Sequence, residues 1–220
     1  RREFATAAWG GVLFYVLLPF IIYLAAYLPY TWRDPGFGVA DWWNCQVSMY
    51  NYHANLNATH PFESRWYIWL LDLRPVWYYQ NSGLPDSLRG SIAGMGGPVL
   101  WLAGLYCVLL LAWRQLTGRG SRRGAAVLIL YAAQLVPWMF VARCTFLYHY
   151  FPSSMFCLAA IAVVLADMQD EKRAKRIAIG LTGASAALFV WFYPVLSGLP
   201  VPTAWAASTL WLPSWGFYWV

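Results

Sequence analysis

The sequence predicts an all-α integral membrane protein: about five transmembrane helices, with an amphipathic helix and a long loop on the outer face. Three observations carry this reading. Apolar residues make up 60% of the 220-residue chain and charged residues only 11%, against about 45–50% and about 25% in soluble domains. The apolar residues fall in runs long enough to cross about 30 Å of hydrocarbon at about 1.5 Å per residue. The basic residues gather between alternate runs, as the positive-inside rule requires of a threaded chain. Mean hydropathy is +0.47. A disordered chain, a coiled coil and an ordinary soluble enzyme are excluded.

The elements follow in order. Arg1 and Arg2 lead directly into an uncharged run from Ala7 to Tyr30, so residues 1–30 read as the first transmembrane helix, with a kink expected at Pro19. No cleavage site follows the arginines, which argues against a signal peptide and for a piece of a longer protein. Residues 31–90 form an outer loop. Within it, Trp43, Val47, Tyr50 and Ala54 share one helical face, which predicts an interfacial helix over 41–56 with Asp41 as its cap. That helix reads as either a docking element or part of a site.

Residues 91–196 read as a four-helix transmembrane region. The second span runs from Ser91 to Trp113 and opens on Gly94, Gly96 and Gly97, expected to let helices approach closely. The third, Gly124 to Ala142, is bent by Pro137, and the fourth starts near Tyr150 with Pro152 in its first turn. A charged loop over 167–176 precedes a fifth span from Ile177 to about Leu196. Residues 197–220 hold Pro200, Pro202 and Pro213 with Trp205, Trp211, Trp215 and Trp219, and read as an outer-face tail capping the membrane surface. Ten of the fifteen Lys and Arg residues (1, 2, 114, 119, 122, 123, 172, 173, 175, 176) then lie inside. The 15 Trp and 15 Tyr suit headgroup-level belts. The net charge of +6 reads as loop anchoring. No basic stripe interleaves with aromatics on a polar face, so no nucleic-acid partner is expected. Cys107 and Cys157 lie inside apolar runs and read as buried thiols.

Candidate chemistry collects on the outer face. His60-Pro61-Phe62-Glu63-Ser64-Arg65-Trp66 and Leu73-Arg74-Pro75-Val76-Trp77-Tyr78-Tyr79 embed two arginines among aromatics. The guanidinium fork suits phosphate, and lipid phosphates sit at this depth. Alternatively, Arg65 and Arg74 snorkel, or pair with Glu63 and Asp72 and hold those carboxylates ionised. Arg143 stands at the lip of a span, where a charge is costly unless paired or functional. His149 lies between Tyr148 and Tyr150 and is either a structural hydrogen-bonding group or part of the site. His53, His60 and Glu63 lack the i, i+4 spacing of a helical metal site, so no metal is expected. Phosphate-loop and nucleophile-elbow motifs are absent from the sequence, which removes support for soluble nucleotide chemistry.

The stretches Gln46–Tyr79 (QVSMYNYHANLNATHPFESRWYIWLLDLRPVWYY), Arg143–Pro152 (RCTFLYHYFP) and Pro213–Trp219 (PSWGFYW) resemble the C-terminal membrane region of the protein O-mannosyltransferase family, the dolichyl- or polyprenyl-phosphate-mannose–protein mannosyltransferases. The resemblance covers nearly the whole chain. It implies the C-terminal half of a GT-C glycosyltransferase fold, active on the non-cytoplasmic face. The implied reaction moves mannose, with inversion, from a polyprenyl- or dolichyl-phosphate-mannose donor to Ser or Thr hydroxyls of an acceptor protein, without cofactor. Residues 31–90 leave no room for the MIR domain of eukaryotic members, so the resemblance is to the bacterial type, in a plasma membrane. Its acidic catalytic motif belongs to the N-terminal half of the same enzyme, which is then a partner together with membrane lipids.

On that reading at least one of Arg143, Arg65 and Arg74, ranked in that order, contacts the lipid phosphate, with Tyr148 and His149 in the same pocket. His60, Trp66, Trp77, Tyr78 and Tyr79 line it. The catalytic residue is unknown, and Glu63 is the best candidate base within this stretch. Two alternatives stay open: a GT-C transferase with a lipid or glycan acceptor, and a non-enzymatic transporter or lipid-binding scaffold. A transporter calls for ionisable residues or broken helices at the midplane, whereas the polar residues here collect at one face.

Overall fold

The computed structural model describes residues 2–216, and their side chains from residue 6 on. The chain divides into two compact units, Arg1–Leu56 and Asn57–Val220.

The first unit is a long apolar helix followed by a shorter one. The long helix comprises α1 (Arg2–Val12), a π-turn over Leu13–Leu17, α2 (Leu18–Ala25) and α3 (Leu28–Arg33). The π-turn directly precedes Pro19, which has no N–H to give the preceding turn; widening that turn absorbs the mismatch. The interfacial helix is α4 (Val39–Ala54). Its cap is Gly38, not Asp41: Asp41 sits at the third helical position and accepts the Gly38 N–H at 2.8 Å, the acidic half of a capping box. Gln46 on α4 donates to Tyr27 Oη at 3.1 Å, and Trp42 meets Phe20 edge-to-face at 6.3 Å.

The second unit is a helical bundle with a small β-structured end. After the short α5 (Trp66–Trp69), β1 (Val76–Gln80) pairs antiparallel with β3 (Ser91–Gly94), while β2 (Leu88–Arg89) awaits a partner from the C-terminal tail. The expected span beginning at Ser91 therefore starts later. Residues 91–94 are half-buried strand, and the Gly96–Gly97 break delays α6 (Pro98–Leu116) until Pro98, a favoured first residue. The glycines at this junction do not bring helices together: a Cβ on Gly96 would fall 2.1 Å from the Trp101 ring. Close helix approach occurs one helical stretch on, at Gly104, where a Cβ would lie 2.5 Å from that of Cys157.

Helix α7 (Arg122–Met139) is capped by Ser121 Oγ on the Gly124 N–H at 3.1 Å and ends just after Pro137. A 3-10 turn over Leu147–Tyr150 leads into α8 (Phe151–Ala166), with Pro152 in its first turn. Helix α9 (Glu171–Ser197) takes in most of the charged stretch read as a loop, because Asp170 Oδ1 caps it on the Arg173 N–H at 2.9 Å. It stops at left-handed Gly198, φ 77°. The tail then adds β4 (Val201–Pro202) to β2 and forms α10 (Thr203–Ser208).

Helices α6 and α7 pack on α8 around Trp69, Trp101, Leu111, Tyr131, Leu147, Tyr150, Cys157 and Ala160. Within this core, Tyr131 and Tyr150 share a 2.8 Å hydroxyl hydrogen bond. A second cluster, Ala93, Phe192, Val195, Ala206 and Trp215, fastens the tail to α9 and β3. Cys107 and Cys157 are buried free thiols. Among the described residues, four helical stretches are long and apolar enough to cross a membrane: Thr6–Arg33, Pro98–Leu116, Leu147–Ala166 and Glu171–Ser197. The 18-residue α7 is less apolar, carrying Arg122, Arg123 and Gln134, yet packs in the same bundle. The protein is an integral membrane protein. At the bundle end away from the strands, Arg114 and Asp167 pair at 3.6 Å.

Candidate functional site

The site is built where the 60–74 loop meets the 141–150 corner, at the bundle end that carries the strands. One backbone and one side-chain hydrogen bond join them: Ser64 N–H donates to the Thr145 carbonyl at 2.8 Å, and Thr145 Oγ1 donates to the Ser64 carbonyl at 2.7 Å. Trp69, fully buried, donates from Nε1 to Ser64 Oγ at 2.9 Å. The flanking residues Glu63 and Arg65 are thereby fixed against Cys144, around a cavity of about 100 Å³ lined by Glu63, Ser64, Arg65, Ile68, Cys144 and Thr145. Burial, then the neighbouring Glu63, pushes the Cys144 thiol up, while Arg143 and Arg65 pull it the other way.

Among the described residues these arginines do not pair with carboxylates as the sequence allowed. Arg65 donates from Nη1 to the carbonyls of Ala142 and Val141 at 2.9 and 3.2 Å, which closes the end of α7 onto the loop. Arg74 donates from Nη2 to the Pro61 carbonyl. Arg143 makes neither a hydrogen bond nor an ion pair with any described residue, and its charge is felt at Cys144, Tyr148 and His149. Asp72 also departs from expectation. No arginine lowers its carboxyl: burial pushes it up to about 8, against one opposing hydrogen bond from the Gly96 N–H.

His149 is held by its ring. It stacks on Trp69 at 5.9 Å, lies 4.2 Å from the Trp138 centroid and 4.5 Å from that of Tyr148, and its Nδ1 stands 3.0 Å from the Phe146 N–H. Nδ1 also stands 2.9 Å from the Phe146 carbonyl oxygen, so the ring tautomer decides which of the two Phe146 groups it bonds. His60 is exposed, meets Phe146 edge-to-face at 5.2 Å and accepts the Phe62 N–H on Nδ1 at 3.1 Å.

The structure thus brings Glu63, Arg65, Arg143, Tyr148, His149 and His60 to one corner. Tyr78, on β1, joins them through Tyr148: burial first, then the Tyr148 hydroxyl, raises its phenol. Two of the expected lining residues, Trp77 and Trp66, also pack into the scaffold. Trp77 packs on Phe62 at 5.6 Å and donates to Ser91 Oγ at 2.9 Å. Trp66 packs against the bundle core; the Tyr79 carbonyl accepts Ser91 Oγ–H at 3.0 Å, while Tyr79 itself is exposed. Cys144, Ser64, Thr145 and Trp138 were not singled out from sequence. The periodicity of the flanking helices gives no sign of them, because they meet through an irregular corner. No group of three or more His, Cys, Asp or Glu side chains converges among the described residues. Phe217–Trp219 of the PSWGFYW stretch lie outside the described residues.

Comparison with known proteins gives a consistent set of relatives. Residues 39–215 match the family described as the C-terminal four TMM region of protein-O-mannosyltransferase. The polyprenol-phosphate-mannose–protein mannosyltransferase of Mycolicibacterium smegmatis is 29% identical over 98% of this chain and 48% of its own length. That of Mycobacterium tuberculosis is 26% identical over 90% and 45%. The chain therefore spans about half the length of these curated relatives. In structure, the chain is similar to the Saccharomyces cerevisiae protein O-mannosyltransferase Pmt1–Pmt2 complex bound to the sugar donor, with a TM-score of 0.71 and 19% identity over 83% of this chain and 27% of that one.

Proposed function

The chain belongs to the protein O-mannosyltransferase family, and from that premise we propose that it forms the donor-holding C-terminal part of a membrane mannosyltransferase. The enzyme moves mannose from a polyprenyl-phosphate-mannose to Ser or Thr hydroxyls of an acceptor protein, with inversion. The observation that carries this reading is Arg143. It is a cation at the membrane-facing lip of a span with no hydrogen bond or ion pair to any described residue, beside Arg65 and the aromatic wall of Tyr148 and His149. Such a charge is retained at that depth when a ligand of opposite charge covers it.

The chemistry asks little of this half beyond binding. Phosphate is a stable anionic leaving group, and arginine N–H groups that hold it gain strength as its charge rises. Arg65 spends one nitrogen on backbone carbonyls, which fixes the guanidinium, and the residue stays exposed. Arg74 spends a nitrogen on Pro61 and ranks third. The acceptor hydroxyl needs a base. Glu63 is the nearest carboxylate in this half, while the family resemblance assigns that role to the N-terminal half. The site end faces outward across a bacterial plasma membrane, with the basic end inside.

The test is mannosyl transfer from polyprenyl-phosphate-mannose to a Ser/Thr peptide by the complete enzyme, its Glu63→Gln variant and the 220-residue segment. Transfer by the complete enzyme, no turnover by the segment and less than a tenfold loss in Glu63→Gln are expected. No transfer by the complete enzyme would sink the reading, and a loss of several orders of magnitude in Glu63→Gln would make Glu63 the base.

A further inference from the structure

We propose that Asp72 is a positioning residue: it clasps the turn ahead of α6 to the C-terminal tail, and through that clasp fixes the loop that carries Glu63, Arg65 and Arg74. Asp72 is the sole non-glycine residue with a left-handed backbone among the described residues, at φ 50°. The residue is 3% exposed. From this one position three segments are tied. Oδ2 accepts the Gly96 N–H at 2.8 Å. The Asp72 carbonyl accepts the indole N–H of Trp215 at 2.8 Å, across 143 residues of chain. The Asp72 N–H returns to the Trp69 carbonyl at 3.0 Å, an oxygen that also accepts Trp101 Nε1–H at 3.0 Å. The adjacent Leu73 carbonyl accepts the Ser214 hydroxyl.

The clasp reaches the site through Trp69. The same residue that anchors Asp72 donates its indole N–H to Ser64, between Glu63 and Arg65, and Arg74 follows Asp72 by two residues. Both features of Asp72 cost free energy. Left-handed backbone is unfavourable for an L-residue with a side chain, and Oδ1 is buried with no hydrogen-bond partner among the described residues. Among the described residues no ion pair offsets the second cost, since Arg74 turns to Pro61. An apolar residue would avoid that cost, and glycine would avoid the first. What neither supplies is a side-chain acceptor for Gly96 on the turn that also presents a carbonyl to Trp215.

The role rests on the donor-binding reading of the corner, and the experiment separates the two. Hydrogen exchange is followed in the complete enzyme over residues 60–70, 91–97 and 209–216, with the interior of α8 as internal reference, alongside the KM for polyprenyl-phosphate-mannose. Asp72→Ala is expected to speed exchange in all three segments by tenfold or more. It should raise the donor KM about tenfold, with kcat and the acceptor KM near wild type. Asp72→Asn keeps an oxygen for Gly96 and is expected to restore both. Should Asp72→Ala fail to accumulate folded, Trp215→Phe removes only the indole donor and is expected to free 209–216 and 60–70. Unchanged exchange in these variants overturns the clasp, and a freed tail with unchanged exchange over 60–70 overturns the positioning role. Faster exchange over 60–70 with an unchanged donor KM leaves the clasp standing and overturns the donor-binding reading instead.

Discussion

Arg65 holds the carbonyl of Ala142 at 2.9 Å, so one arginine of the site is hydrogen-bonded to the residue that immediately precedes another. The 60–74 loop and the end of α7 are therefore coupled at the point where both cations project. Neither cation pairs with a carboxylate among the described residues.

A ranking of arginine variants follows. Arg143→Ala is expected to weaken donor use most, then Arg65→Ala, then Arg74→Ala. Loss of a charge-assisted contact costs about 1.5–3 kcal/mol, or roughly ten- to a hundredfold in kcat/KM for the donor. Arg65→Ala should also loosen the end of α7, whereas Arg143→Ala should leave stability unchanged. Wild-type donor kinetics in all three would remove the corner from donor binding.

Orientation is open to chemical labelling. With the site end outside, a membrane-impermeant thiol reagent on sealed cells should modify cysteines introduced at Ser82 and Thr203 and spare one introduced at Gly120. Modification at residue 120 would reverse the assignment.

Stability should carry the signature of Asp72. Its carboxyl, pushed up to about 8 in the folded chain by burial, titrates near ~3.9 when unfolded. Between those values the folded state keeps a proton that the unfolded state has given up. Stability therefore falls as pH rises from about 4 to about 8, by up to about 1.4 kcal/mol per pH unit, and levels off above. Asp72→Asn lacks this contribution, so its melting temperature relative to wild type should climb between pH 5 and pH 8. A gap that does not change with pH would show that Asp72 titrates normally.

The contact of α6 with α8 makes its own demand. A methyl on Gly104 would stand 2.5 Å from Cys157 Cβ, so Gly104→Ala should cost about 1–3 kcal/mol through overpacking. Because the clash is with Cβ, Cys157→Ala cannot relieve it, whereas Cys157→Gly should recover part of the loss. Melting temperatures of the three variants in detergent decide the matter.

What the sequence disclosed depended on the kind of signal. The bundle was legible because long apolar runs report burial in lipid directly, and Pro152 falls in the first turn of α8, where its missing N–H costs nothing. The helix starts were not. Ser91–Gly94 reads as the opening of a span on hydropathy alone, yet its partner, Val76–Gln80, draws it into a sheet. Conversely, the charges of Glu171–Arg176 hide a helix that Asp170 caps. At the candidate site, the sequence offered carboxylates as partners for Arg65 and Arg74, but their partners are backbone carbonyls, which no side-chain pattern announces. Asp72 was misread for the same reason: an arginine two residues away in sequence points elsewhere in space.

The pairing of β2 with β4, and of Asp72 with Trp215, sets an order of events during biosynthesis. The ribosome releases the 60–74 loop some 140 residues before the tail that closes on it. Helices α6 to α9 have to be delivered to the bilayer in between. While the chain is still being made, the loop is without its last fastening, and its aromatic surface is open to other proteins at the membrane. A nascent chain arrested before Thr203 would thus hold a nearly complete bundle and an unfinished cap, the form that folding factors and membrane proteases have to tell apart from the mature protein.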